Sequence, residues 1–282
     1  MKVLITGGTG MLGRSVHRRL VDGHEVRAPG SRDLDVVDAR AVEATIAGWR
    51  PDAVIHCAAH TKVDLCETET DRAFAINAVG SANVAGACHR HGAKLFAIST
   101  DYVFAGDLDR PYHEWDATVP RTVYGQSKLA GEEAVRAHCP RHVIARIAWL
   151  YGPGGPSFVH TMRKAGTQDG AALRVVDDQV GNPTSTLAVA DALARLLDHP
   201  LVGTVHLTCA GEVSWFGFTQ QLAVIFGFRR TVLPCSTAEF PRPAPRPANS
   251  RLEKRVLRLH GLDPMPAWQD DLGRFALEFP HG

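Results

Sequence analysis

The stretch Val3-Leu4-Ile5-Thr6-Gly7-Gly8-Thr9-Gly10-Met11-Leu12-Gly13 decides the fold. Its apolar start has the character of a β-strand, and residues 11–21 have helical spacing. Gly7, Gly10 and Gly13 therefore stand at the joint between a strand and a helix. In that context each glycine has a physical reason. Gly7 permits a tight turn, Gly10 lets backbone approach a pyrophosphate, and Gly13 lets the helix pack closely on the sheet. The start of the helix offers N–H groups and the positive end of a dipole to phosphate oxygens. The turn reads as a dinucleotide-binding motif, with a purely structural turn as the alternative.

Outward from this turn the first half alternates between two kinds of segment. β-rich runs occupy residues 25–28, 53–59, 94–99 and 142–149, and helical patterns occupy 39–49, 67–91 and 128–137. The strands lack a clean polar/apolar alternation, as expected of a parallel sheet covered on both faces. Right-handed crossovers then give an α/β fold, a Rossmann-like doubly wound parallel sheet. The second half is less regular. Residues 172–176 and 203–207 read as short strands, and 187–197 and 215–226 as helices. Pro241, Pro243, Pro245 and Pro247 exclude a regular helix or central strand over 240–248. The expected organisation is an NAD(P)-binding domain over 1–152 and a small α/β C-terminal substrate lobe over 153–282, with some later segments returning to the first domain.

Composition narrows the function classes. The 282 residues are 45% hydrophobic and 22% charged, with a formal charge of +1, which gives a globular chain without a field for nucleic acid or membrane. Cys57, Cys66, Cys88, Cys139, Cys209 and Cys235 form no CxxC pair and no zinc spacing, so reduced buried thiols are expected. The apolar run at the N-terminus is too short for a signal peptide core. No apolar stretch approaches the ~20 residues of a membrane span. A cytoplasmic location is the expectation.

The cofactor preference is sought after the second strand. A site for NAD usually carries an acidic residue there, about 20 residues past the glycines. Here the region is Ala28-Pro29-Gly30-Ser31-Arg32. Ser31 and Arg32 are suited to a 2′-phosphate, which favours NADP(H) and leaves NAD(H) open, with a solvated loop arginine as the alternative. Asp35 and Val36 begin the segment where adenine would lie. Ala59, His60 and Thr61 follow the third strand, near the path of the cofactor.

Tyr124 and Lys128 are four residues apart and share one helix face. A lysine cation lowers a neighbouring tyrosine's pKa and bonds a nicotinamide ribose, while the tyrosine passes a proton to a carbonyl oxygen. Thr100, in the string Ser99-Thr100-Asp101-Tyr102 at the end of the fourth strand, offers a hydrogen bond to that oxygen. The three together read as the catalytic group of a carbonyl reductase.

The chain resembles the short-chain dehydrogenase/reductase superfamily, in its extended branch, and within it the dTDP-4-dehydrorhamnose reductase family. The resemblance runs almost end to end and rests on residues 58–64, 99–104 (Ser-Thr-Asp-Tyr-Val-Phe), 123–132, 149–152, 178–184 and 246–252 (Arg-Pro-Ala-Asn-Ser-Arg-Leu). It implies that Gly10, Met11 and Leu12 line the pyrophosphate. Asp35 and Val36 would flank adenine, Ala59, His60 and Thr61 the middle of the cofactor, and Tyr124 and Lys128 the nicotinamide ribose. Thr100, Asp101 and Trp149 would hold a dTDP-linked sugar. Some relatives dimerise around magnesium held by an acidic residue after the glycine motif. Arg14-Ser15 stand there in this chain, so no metal is carried over, and a homodimer remains compatible.

Other residues keep two readings. Trp149, at a strand end, suits either sugar stacking or core packing. Asn77 ties backbone near the cofactor or lies on a helix surface. Arg246, stiffly held among prolines, faces a diphosphate or solvent. The implied activity is NAD(P)H-dependent reduction of a C4 keto group, dTDP-4-dehydrorhamnose to dTDP-L-rhamnose. The alternatives are a 4-ketoreductase of antibiotic-sugar synthesis and a non-catalytic binder resembling the regulatory β subunit of methionine adenosyltransferase.

Overall fold

β1 (Lys2–Thr6) lies inside a six-stranded sheet with every residue after Lys2 buried. The chain continues through α1 (Met11–Leu20), β2 (Glu25–Arg27), α2 (Ala39–Trp49), β3 (Ala53–His56), α3 (Gly80–His91), β4 (Lys94–Thr100), α4 (Val123–His138) and β5 (His142–Ile147). α5 (Phe158–Gly166), α6 (Thr186–Leu196), β6 (Gly203–His206), α7 (Trp215–Phe226) and α8 (Trp268–Glu278) follow. The computed structural model describes residues 1–263 and 265–280. None of its helices is long and apolar enough to cross a membrane, among the described residues.

The strand order is β6-β5-β4-β3-β1-β2 and every pairing is parallel. Parallel neighbours need crossovers, and the helices of those crossovers cover both faces. Side chains alternate accordingly. Val3 and Ile5 join Leu12, Val16 and Leu20 of α1 and Leu193 and Leu196 of α6. Leu4, on the other face, joins Val42 and Ile46 of α2 and Val84 and Cys88 of α3. The chain moves outward from β1 to β2 and then returns to pair β3 on the opposite side of β1. That reversal opens a crevice at the carboxyl ends of β1 and β3, where open α/β sheets bind ligands.

Several boundaries differ from those expected. β6 pairs with β5, Gly203 opposite Val143, so residues near 203 return to the first sheet. α6 and α8 also pack in the core on the Val3 and Ile5 face of that sheet, and a separate parallel pair, Leu173–Val176 with Val232–Cys235, stands outside it. A three-stranded patch of Val213–Ser214, Val180–Gly181 and Asn249–Ser250 lies in the same half. The helical stretch expected over 67–91 runs without a gap from Thr70 through α3 to His91, widening into a π-helical turn at Ala75–Val79, with a separate short helix at Val63–Cys66 ahead of it. The wider turn accompanies close packing, because a Cβ on Gly131 of α4 would stand 2.2 Å from Asn77 O. α4 starts at Val123, ahead of the expected 128, because its N-terminus is capped twice. Thr122 Oγ1 accepts from Gly125 N–H at 3.0 Å, and Glu67 Oε1 accepts from Val123 N–H at 3.0 Å. β3 stops at His56 and β5 at Ile147, both shorter than their apolar runs. α5 and α8 were not anticipated, although Trp268, Leu272 and Phe275 have the i, i+4, i+7 spacing of a buried helix face.

Candidate active site

The glycine turn faces the exit of β3 at close range. A Cβ at Gly7, where φ is +68°, would fall 2.7 Å from Ala58 N, and one at Gly13 would fall 2.4 Å from Gly7 O. These are backbone atoms, so neither position accepts a side chain without moving the turn. Gly10 is the N-cap of α1 and brings no side-chain bond to the helix end. Gly7, Gly10, Met11, Leu12 and Gly13 all line one cleft of about 790 Å³. A bare turn before an uncapped helix start fits the phosphates of a dinucleotide.

Beside it, a Cβ at Gly30 would stand 2.7 Å from the Thr9 side chain, so the loop carrying Ser31 and Arg32 lies against the glycine turn. Both residues are exposed, at the outer flank and outside the cleft lining. Asp35 Oδ1 accepts from Val37 N–H at 3.0 Å, and Val36 is buried beneath Gly80. Asn83 Nδ2 donates to the carbonyls of Val36 and Val37 at 3.0 and 3.1 Å.

Ala59 and Thr61 line the cleft, and His60 does not. Its imidazole is buried, with Nε2 3.2 Å from Glu69 Oε2. Its backbone is bracketed by one side chain, as His60 N–H donates to Asn77 Oδ1 at 2.8 Å and Asn77 Nδ2 donates to His60 O at 3.1 Å. Asn77 Nδ2 also donates to Ser127 Oγ at 2.9 Å, and Ser127 Oγ donates to Tyr124 O at 2.8 Å. Asn77 is thus fully buried and ties the loop after β3 to the helix carrying Tyr124 and Lys128.

Tyr124 and Lys128 both face into the cleft from α4, with Thr100 and Asp101 opposite at the end of β4. A Cβ at Gly125 would stand 2.2 Å from Tyr102 O, so glycine is what lets α4 start against the end of β4. The Tyr102 and Tyr124 rings meet edge to face, 5.4 Å between centroids. Thr100 Oγ1 donates to Asp101 Oδ1 at 2.9 Å, and the Tyr124 hydroxyl is hydrogen-bonded to the Thr100 side chain. Lys128 Nζ donates to Ile98 O at 2.7 Å.

Burial pushes the Tyr124 phenol above its ordinary value, the bond from Thr100 opposing only in part. Burial also lowers Lys128 to about 8. Asp101 is raised to about 6, chiefly by burial, the bonds from Ser250 and Thr100 opposing. Cys57, in the floor of the cleft, is pushed by burial up to about 12, which keeps the thiol protonated.

The other wall of the cleft comes from the lobe. Trp149 adopts a left-handed backbone, φ 47°, and its ring stacks on Trp215 with centroids 3.5 Å apart and planes 7° apart. A Cβ at Gly181 would lie 2.5 Å from the Trp149 indole, so that glycine makes room for the ring. Arg246 lines the same wall, together with Arg174 and Arg242.

The RmlD substrate binding domain model matches residues 1–280. The chain belongs to that family. This family member is 42% identical to a dTDP-4-dehydrorhamnose reductase of Mycolicibacterium smegmatis, over 96% of this chain and 84% of the relative. It is also 42% identical to a probable dTDP-4,6-dihydroxy-2-methyloxan-3-one 4-ketoreductase of Streptomyces antibioticus, over 96% of this chain and 93% of the relative. The solved dTDP-4-dehydrorhamnose reductase of Bacillus anthracis in complex with NADP superposes with a TM-score of 0.96, at 39% identity, covering 98% of this chain and 99% of that one.

In this RmlD-family chain one cleft collects residues named from separate motifs, Gly7, Gly10, Met11, Leu12, Gly13, Ala59, Thr61, Thr100, Asp101, Tyr124, Lys128, Trp149 and Arg246. Ser31, Arg32, Asp35, Val36 and His60 lie outside its lining. Sequence reasoning missed Trp215, Arg174, Arg242 and Gln179, which also line it. For Arg242 a signal existed, since Pro241-Arg242-Pro243 repeats the context that singled out Arg246. Trp215 opens a helix far from Trp149 in sequence, and nothing local indicates that the two rings stack.

Proposed function

We propose that the protein is an NADPH-dependent oxidoreductase that reduces the C4 keto group of a dTDP-linked 6-deoxy sugar, converting dTDP-4-dehydrorhamnose to dTDP-L-rhamnose. The observation that carries this reading is the meeting of Tyr124, Lys128 and Thr100 with the glycine turn in one cleft. The names of the relatives support the substrate and the cofactor. Gly7, Gly10, Met11, Leu12 and Gly13 would hold the pyrophosphate, Ala59 and Thr61 the middle of the cofactor, and Lys128 the nicotinamide ribose. Ser31 and Arg32 would meet the 2′-phosphate, with Asp35 and Val36 near adenine.

When bound, the dihydronicotinamide supplies a hydride to the keto carbon. Tyr124, a neutral phenol in its buried position, donates its proton to the keto oxygen as negative charge develops there. Thr100, hydrogen-bonded to the Tyr124 hydroxyl before substrate binds, turns its own proton away from Asp101 to donate a second hydrogen bond to that oxygen once the Tyr124 proton points at it. Lys128, as a cation below its pKa of about 8, stabilises the phenolate left on Tyr124 until solvent returns the proton. Asp101, whose carboxyl also interacts with Thr100 and Ser250, would accept a hydrogen bond from a sugar hydroxyl. The Trp149–Trp215 pair offers a flat apolar wall to the sugar, and Arg246 a cation to the diphosphate.

A second reading, a 4-ketoreductase for a different deoxysugar, is favoured by the Streptomyces antibioticus relative at equal identity. It uses the same catalytic residues and differs only at the lobe. NADPH oxidation with dTDP-4-keto-6-deoxy-L-mannose, followed by NMR of the product, tests the first reading. Formation of dTDP-L-rhamnose is expected. Folded protein that turns over this sugar with neither NADPH nor NADH overturns it.

A further inference from the structure

Arg246 is held at the cleft by one carboxylate. Its Nη2 donates to Asp64 Oδ2 at 2.8 Å, and the other oxygen of Asp64 accepts from Ala244 N–H at 3.2 Å. Arg246 Nη1 closes the arrangement by donating to Ala244 O at 2.9 Å. Asp64 thus grips both the side chain and the backbone of the proline-rich strap. Burial works against its charge, yet Arg246, the Ala244 N–H and Arg242 together hold the carboxyl below its ordinary value. Asp64 lies on the segment after β3, whose Thr61 and Val63 line the cleft from the nucleotide side.

The strap has firm anchors at both ends. Upstream, Thr237 donates its N–H and its hydroxyl to Asp178, at 2.8 and 2.6 Å. Downstream, Asn249 N–H donates to Gly106 O at 3.0 Å, and Asn249 Nδ2 donates to Leu108 O and Arg110 O at 2.7 Å each. Between Phe240 and Pro247 the hydrogen bonds to the rest of the protein are those of Asp64, among the described residues. Phe240 and Arg242, in the exposed part of this interval, border the cleft with Arg246.

We propose that Asp64 is a positioning residue for substrate binding, which clips the strap so that Arg246 and Arg242 face the diphosphate of the nucleotide sugar. This rests on the dTDP-sugar reading above. A guanidinium has five N–H donors, and Arg246 commits Nη1 and Nη2 to one bond each, so donors remain for a phosphate while Asp64 holds the group. Asp64 acts on affinity through Arg246 and does not touch the reacting atoms. It should therefore set the KM of the sugar nucleotide and leave the chemical step.

The test is a double-mutant cycle on the full chain with Asp64→Ala, Arg246→Met and both, reading dTDP affinity by calorimetry and steady-state kinetics in parallel. Asp64→Ala should weaken dTDP and raise the sugar-nucleotide KM about tenfold, the scale of one charge-assisted hydrogen bond. kcat should change by less than about threefold and NADPH affinity should stay constant, because the glycine turn is untouched. In the Arg246→Met background the same change should cost less than about twofold. Asp64→Asn, which keeps shape and the acceptor for Ala244, should recover part of the loss, and it carries the test if the alanine variant does not fold. Additive losses, equal losses of dTDP and NADPH, or tighter dTDP binding without Asp64 each overturn the clip. A wild type that turns over the sugar with unaffected variants removes the clip alone. A wild type that neither binds dTDP nor turns over the sugar removes both readings.

Discussion

The two walls of the cleft are built on different principles. The nucleotide wall is made of short local motifs: a glycine turn between β1 and α1, and a Tyr–Lys pair one helical turn apart on α4. The opposite wall depends on contacts between residues far apart in sequence, Trp149 on Trp215, and Arg246 held by Asp64 of the segment after β3. Backbone geometry dictates the first, so its parts are fixed by steric and helical rules. The second depends on side chains from separate segments meeting, and every contact in it is a product of the packing. Chemistry and cofactor binding should therefore each be lost by changing a local motif, and sugar recognition by changing contacts between distant segments.

The sharpest way to break this contrast is Tyr124→Phe. It should lower kcat about thousandfold while leaving the affinities for NADPH and dTDP nearly unchanged. Single-turnover NADPH oxidation checks this, and near-normal turnover would end the assignment of the proton donor. Gly13→Val comes next. Its Cβ would meet Gly7 O at 2.4 Å, so the turn must shift, and NADPH affinity should fall on the order of a hundredfold. Calorimetry with NADPH and with dTDP should show loss of the first only. Equal loss of both would mean that the walls are not separable.

Trp215→Ala should have a smaller effect on the opposite side. Removing the ring stacked on Trp149 should raise the sugar-nucleotide KM about tenfold at constant NADPH affinity. The smallest effect expected is on the pH profile. Lys128 is lowered to about 8 by burial, so the ammonium is present below that pH and lost above it. kcat should accordingly halve near pH 8 and decline further as pH rises, in a profile measured at saturating substrates. A flat profile from pH 7 to about 9.5 would show that the Lys128 charge does not assist the phenolate.

Particular elements show how far the chain could be read without coordinates. The α2 helix spans the residues that its apolar spacing marked, because Val42, Ile46 and Trp49 bury one stripe against the sheet. The stretch at 67–91 is helical from Thr70 onward, but its Ala75–Val79 turn widens beside Gly131, a contact with another helix that no local pattern encodes. His60 illustrates the same limit at the site. Its place after β3 was legible, but the direction of its ring was set by Glu69 and its backbone by Asn77. At Tyr124 a neighbouring cation can be inferred from spacing, whereas the cost of burial, which raises its phenol, depends on everything packed around the ring.

The sequence by itself determined the parallel α/β frame, the glycine turn, the shared helix face of Tyr124 and Lys128, and Thr100 at a strand end. These follow from period, steric allowance and spacing, which are properties of neighbouring residues. The tertiary structure alone decided that Trp149 stacks on Trp215 and that Asp64 clips the strap of Arg246. It also decided that Ser250 from the far end of the chain meets the buried Asp101 carboxyl in the cleft. Those features arise where distant segments converge, and only the packing of the whole chain brings them within bonding distance.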